Sequence, residues 1–147
     1  MRIVRQAKAN GRTVVFTNGC FDLLHAGHVK LLERAKQFGD LLIVAVNSDR
    51  SVRALKGRHR PIVREQDRAL LLAALESVDY VTIFHDPTPR RLVGRLRPQI
   101  LIKGADWGAS HIIGREIVQR AGGRVIRMPL LKGHSTSGLI ERIRRDG

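Results

Sequence analysis

Cysteine is nearly missing from this chain: Cys20 stands alone in 147 residues. No intrachain disulfide can form, which suits a reducing compartment. Aromatic residues make up 4% of the chain, so the core has to be built from aliphatic side chains. Long apolar runs are missing too. The longest, Leu41–Val46 and Ala69–Leu75, are far too short to cross a bilayer. The opening Met1-Arg2-Ile3-Val4-Arg5-Gln6 lacks the apolar region of a signal peptide. A cytoplasmic protein with no membrane partner is therefore expected. One cysteine and scattered histidines give no zinc-type spacing, and no residue is assigned as a metal ligand. Repeats, low-complexity tracts and linkers are absent, which points to one domain over 1–147. Residues 1–11 are its N-terminal arm or a short helix, with Asn10-Gly11 as a turn signal.

Acidic residues are the other scarcity. Thirteen Asp and Glu face 27 Lys and Arg, a formal net charge of +14. A non-catalytic basic protein that binds nucleic acid is one reading of that excess. The cations are spread along the chain, however, and form no stripe interleaved with aromatics. A solvated basic surface that favours nucleotides and sugar phosphates is the preferred reading, with nucleic acid not expected as a partner.

Short apolar runs alternate with helix-period segments. Strands are expected at Thr13–Thr17, Leu41–Asn47, Tyr80–Phe84, Ile100–Lys103 and Arg124–Met128. Helices are expected at Gly27–Gln37, Glu65–Leu75, Pro89–Leu96, Ile112–Ala121 and Thr136–Arg145, with Ser51–Arg60 as a mobile cationic loop. Strict alternation argues for an α/β fold with helices on both faces of a parallel sheet. The expected form is a Rossmann-like, doubly wound sheet of five strands in the order 3-2-1-4-5. Ligands of such sheets bind beyond the carboxyl ends of the strands. Asn18–His28, Asn47-Ser48-Asp49, Lys103–Trp107 and Ser135-Thr136-Ser137 all fall there.

The densest chemistry is Asn18-Gly19-Cys20-Phe21-Asp22-Leu23-Leu24-His25-Ala26-Gly27-His28. It joins the first strand to an amphipathic helix. His25 and His28 thus sit at a helix N-terminus, where backbone N–H groups and the helix dipole attract anions. Ala26 and Gly27 let a ligand approach the backbone. Asp22 can cap the helix, orient a histidine or reach a cation through water, and the cap needs the least assumption. Cys20 is read as a small residue in a phosphate-binding turn, in preference to a catalytic thiol. Ser135, Thr136 and Ser137 can cap the last helix and still hold a phosphate. A lysine ending a buried strand, as Lys103 does, needs a ligand or an ion pair. Asp106 can accept from ribose or sugar hydroxyls. Trp107 is a platform for base or sugar, or a core plug. Arg115 and Glu116 are read as surface pairing.

The Asn-Gly-Cys-Phe-Asp-Leu-Leu-His-Ala-Gly-His segment resembles the His-x-Gly-His signature of the cytidylyltransferase-like nucleotidyltransferases. Leu55-Lys56-Gly57, Ile102–Trp107 and Gly133–Ser137 follow in the family's order, and the resemblance spans about Thr13 to Arg144. Within the superfamily the chain is most similar to the heptose-1-phosphate adenylyltransferases. That resemblance implies transfer of AMP from ATP to D-glycero-β-D-manno-heptose 1-phosphate, giving ADP-heptose and pyrophosphate, for lipopolysaccharide core or another surface glycan. It implies His25, His28 and Lys56 as catalytic residues. Asn18, Gly19, Cys20, Phe21, Asp22, Gly27, Lys103, Gly104, Ser135, Thr136 and Ser137 would hold the nucleotide. Asn47, Asp49, Arg60, Asp106 and Trp107 would hold the acceptor. Mg²⁺ would arrive on the nucleotide's phosphates. A homodimer through Glu76–Tyr80 and a separate heptose kinase upstream are also implied. One departure stands out: related glycerol-phosphate cytidylyltransferases carry an Arg after the Pro of the last loop, where this chain has Leu130, and Lys132 or His134 would supply the charge instead. Glycerol-3-phosphate cytidylyltransferase and FMN adenylyltransferase are the alternatives that keep the chemistry and change the substrates.

Overall fold

A computed structural model describes residues 1–105, 112–129, 131 and 133–146. Its strands are β1 (Val14–Gly19), β2 (Leu41–Asn47), β3 (Tyr80–Phe84), β4 (Ile100–Gly104) and β5 (Arg124–Met128). The helices between them are α1 (Arg2–Ala9), α2 (Ala26–Lys36), α3 (Asp49–Lys56), α4 (Glu65–Ala73), α5 (Arg90–Leu96), α6 (Arg115–Arg120) and α7 (Thr136–Asp146). All four strand pairings are parallel and the order is β3-β2-β1-β4-β5, as the alternation predicts.

The core follows from period-two side chains on strands covered on both faces. Val14 and Phe16 of β1, with Leu41, Ile43 and Ala45 of β2, point to one face. There they meet Val4 and Ala7 of α1, Val93 and Leu96 of α5, and Val118 of α6. Val15, Leu42, Val44 and Val46 point the other way, onto Leu32 and Ala35 of α2 and Leu72 of α4. Every residue of β2 is buried. Each such Val or Leu stabilises the fold by about 1.5–3 kcal/mol relative to exposure. Parallel strands put all five carboxyl ends on one edge of the sheet.

Of the two forms expected for the first residues, the short helix is the one present, with Val4 and Ala7 sharing a buried side. Other expectations change. Pro89, expected as the first residue of its helix, is the N-cap of α5, and α6 begins three residues late, after Gly114. The segment read as a cationic loop is mostly the helix α3. Ser48 caps it by accepting from Ser51 N–H at 3.3 Å, and the Glu65 carboxylate accepts from Asp49 N–H at 2.6 Å. Buried Val52 pins it to the sheet. Lys56 therefore ends a helix, and the loop proper begins at Gly57.

Candidate active site

A cleft of about 470 Å³ opens at the carboxyl edge of the sheet. Its walls are the ends of β1, β2 and β4, the first turns of α2 and α7, the end of α3 and the loop carrying Arg60.

His25 is the N-cap of α2, with extended backbone. Its backbone N–H donates to Nδ1 of His28 at 3.4 Å. With Nδ1 accepting, the neutral His28 ring carries its proton on Nε2, which remains as a donor. The rings stack with centroids 3.8 Å apart and planes at 23°, and Phe21 meets His28 edge-on at 5.2 Å. Burial, and then the neighbouring His25, push the His28 pKa down to about 4. Burial and then His134 lower that of His25. Before an anion arrives, both rings are neutral at pH 7. Gly27 is required for a more local reason than ligand approach. A Cβ there would lie 2.9 Å from the His25 ring and 3.1 Å from Cβ of His134.

Asp22 is not a helix cap. Its buried carboxylate accepts from Ile62 N–H at 2.8 Å and Val63 N–H at 2.9 Å, and pairs with Arg60 Nε at 2.5 Å. It anchors the loop after α3 and aims Arg60 at the cleft. Lys103 donates to the Asn18 backbone oxygen at 3.1 Å and to its Oδ1 at 3.3 Å, which ties β4 to β1. Asn47 Nδ2 donates to Ser51 Oγ at 2.9 Å. Ser135 Oγ accepts from Gly138 N–H at 3.0 Å, and Thr136 Oγ1 donates to the Leu23 oxygen at 3.4 Å. The cap of α7 thereby leans on the segment leading into α2. Burial raises the Cys20 pKa, opposed by Lys56, Arg68, Lys103 and Arg60 in that order. The raised value keeps the thiol protonated, in line with a small packing residue, and the four opposing cations show how much positive charge converges there.

Asn18, Gly19, Cys20, Phe21, Asp22, His25, Gly27, His28, Asn47, Lys56, Arg60, Lys103, Gly104 and Ser135 to Ser137 all line the cleft. Asp49 does not: its carboxylate binds Arg68 at 2.8 Å. Asp106, Trp107 and Lys132 lie outside the described residues. Glu116 pairs with Arg90, and Arg115 Nε donates to Gln119 at 3.2 Å, both surface pairings as expected.

Arg68 went unnoticed in the sequence. It is fully buried. Its guanidinium donates to the Val63 oxygen at 2.9 Å, the Asn47 oxygen at 2.8 Å and the Cys20 oxygen, besides Asp49. One side chain thus fastens the ends of β1 and β2 to α3 and the loop before α4. Arg68, Leu72 and Leu75 share one inward stripe at i, i+4 and i+7, and an arginine in an apolar stripe was the available signal.

Metal ligation by the carboxylates of the described residues does not fit. Among the described residues no group of three His, Cys, Asp or Glu could hold an ion, and Asp22 and Asp49 are committed to arginines. No helix of the described residues is long and apolar enough to cross a membrane.

A strand–turn–helix with two stacked histidines at the helix start, facing a second capped helix across a cationic cleft, is an anion site suited to phosphate chemistry. Residues 16–141 match the family described as cytidylyltransferase-like, and the chain belongs to that family, which makes it a nucleotidyltransferase by class. The chain is 53% identical over 142 residues to the "Bifunctional protein HldE" of Geotalea uraniireducens (strain Rf4), covering 97% of this chain and 29% of that protein. It is 52% identical to the "Bifunctional protein HldE" of Koribacter versatilis (strain Ellin345), again over 97% of this chain and 29% of the relative. The chain therefore spans under a third of the length of these curated relatives. Among solved structures it resembles the lipopolysaccharide core biosynthesis protein from Thermoplasma volcanium GSS1, with a TM-score of 0.69 and 29% identity, covering 84% of this chain and all of that one.

Proposed function

We propose that this domain transfers AMP from ATP to D-glycero-β-D-manno-heptose 1-phosphate, releasing pyrophosphate and forming ADP-heptose. The stacked pair His25 and His28 at the start of α2, facing a cleft rimmed by Lys56, Arg60 and Lys103, carries the chemical part of this reading. The identity to the HldE proteins, with the resemblance to heptose-1-phosphate adenylyltransferases, supports the substrates.

The reaction needs no covalent enzyme intermediate. An oxygen of the sugar phosphate attacks the α-phosphorus, forming the new P–O bond. The bond from the α-phosphorus to the bridging oxygen breaks, and its electron pair leaves on pyrophosphate. Catalysis is then positioning and charge stabilisation. Mg²⁺ arriving with the nucleotide would supply charge neutralisation on its phosphates. The free N–H groups of α2 and α7 face the phosphate chain. His28 and His25 donate to oxygens on which charge grows as pyrophosphate departs, and a bound polyphosphate favours their protonated forms. Lys56 and Arg60, which line the cleft on the α3 side, serve the acceptor and α-phosphates in this reading. Lys103 orients Asn18 and adds positive charge to the floor.

Two copies are further proposed to pair along edge strand β3 and α4. Leu70, Leu71 and Tyr80 there are 70%, 46% and 41% exposed and would supply the apolar contacts of that pairing. Heptose phosphorylation would be the task of a kinase. A coupled assay of pyrophosphate release, run over ATP and CTP with several sugar and alcohol phosphates, tests the reading. It fails if no nucleotide supports turnover.

A further inference from the structure

We propose that His134 is a third phosphate-binding imidazole, which holds the terminal phosphates of the nucleotide beside His25 and His28. The inference rests on the nucleotidyl-transfer reading and assigns a group that the His-x-Gly-His pattern does not contain.

Three observations carry it. First, His134 lies on the loop between β5 and α7, lines the cleft and contributes nothing to either core. Its ring runs nearly parallel to that of His25, with centroids 6.3 Å apart and planes at 29°. His25 in turn stacks at 3.8 Å on His28. The three rings form a column along one wall, from enclosed His28 to exposed His134.

Second, the approach is built. The missing Cβ of Gly27 makes room for Cβ of His134 as well as for the His25 ring. Thr136 on Leu23 and the cap of Ser135 on Gly138 fix the two residues that follow His134.

Third, the column lacks a counter-anion. Asp22 is the sole carboxylate among the described residues lining the cleft, and Arg60 and two backbone N–H groups already occupy it. Nδ1 of His25 is buried with no hydrogen-bond partner among the described residues. Three imidazoles crowd together where protonating one disfavours the next. An anion relieves this cost, and a chain of phosphates matches an elongated array better than a single one. Its exposed position gives His134 the outer phosphates, remote from the strand ends where the α-phosphorus reacts.

The test is titration calorimetry of the whole chain with ATP, AMP and inorganic tripolyphosphate, on wild type, His134→Ala and His134→Lys. Loss of one charge-assisted hydrogen bond should weaken ATP and tripolyphosphate about tenfold in His134→Ala. AMP binding should not change, and His134→Lys should restore the loss. Equal weakening of ATP and AMP would make His134 a platform for the base and overturn the proposal. So would unchanged ATP binding, or a wild type that fails to bind tripolyphosphate. If ATP and tripolyphosphate bind through His134 while no nucleotide supports turnover, this proposal survives and the nucleotidyl-transfer reading fails. The exposed site leaves folding intact, which unfolding curves of the two variants check.

Discussion

Replacing Arg68 by Met is the sharpest structural perturbation the fold offers. The side chains are similar in length, so little cavity results. What disappears is a guanidinium with no solvent exposure that serves four acceptors on four segments. Asp49, whose side chain is 23% exposed, loses its partner, and the oxygens of Cys20, Asn47 and Val63 lose their donors. Breaking a buried pair from one side costs about 3–5 kcal/mol. Orphaned carbonyls add about 1–3 kcal/mol each where water cannot reach them. Removing the desolvated cation offsets part of this, which leaves a net loss of about 4 kcal/mol. For a chain of this size that is a fall in Tm of about 12 °C. The same change should lower turnover in the fraction that stays folded, because Cys20 and Asn47 border the cleft. Arg68→Lys, with one nitrogen in place of three, should fall between. Urea unfolding followed by circular dichroism measures the loss. A change under about 1 kcal/mol, the range of a surface ion pair, would refute the claim that Arg68 fastens the strand ends.

His25→Ala and His28→Ala should each lower turnover about 10²–10³-fold, the usual cost of one transition-state donor, with little change in unfolding; near-normal turnover in either variant would remove its role. Stability should also report on His28 directly. Its folded pKa of about 4 lies below the ordinary 6.5, so between these values the unfolded chain binds more protons and acid destabilises the fold. The contribution is complete above pH 6.5 and is lost towards pH 4, up to about 3 kcal/mol. His28→Leu should flatten that part of a pH series of urea midpoints, and an unchanged acid slope would show that other groups cause it. Lys56→Ala should lower kcat, and Lys103→Ala should chiefly raise KM, because Lys103 is held in place by Asn18 before any substrate binds; the reverse pattern would exchange their roles.

The sheet could be read from the sequence because each strand is a short run of aliphatic residues bounded by turn signals. Leu41–Asn47 matched to the residue, since a strand buried on both faces has no polar interruption. The histidine pair was legible because its meaning is local: a strand end, a tight turn and a helix start within a dozen residues. The error at Asp22 comes from contacts that close over a long stretch of chain. Asp22 looks like a cap until the N–H groups of Ile62 and Val63 arrive from forty residues away. Arg50, Arg53 and Lys56 made α3 resemble a solvated loop, although Ser48 as cap and Val52 as anchor were there to read. Arg68 hid among charged neighbours on α4, because inward and outward positions are distinguishable only once the stripe through Leu72 is traced. The placement of His134 depends on a loop crossing to α2, and only the small residue at Gly27 hinted at it.

The central claim is the transfer of a nucleotidyl group to a sugar phosphate through the histidine cleft. The direct measurement is kcat/KM for pyrophosphate release with ATP and D-glycero-β-D-manno-heptose 1-phosphate, set beside CTP and glycerol 3-phosphate, on wild type and His28→Ala. The account predicts that ATP with the heptose phosphate is the preferred pair and that His28→Ala abolishes most of the activity. Preference for CTP with glycerol 3-phosphate, or pyrophosphate release undiminished in His28→Ala, would contradict it.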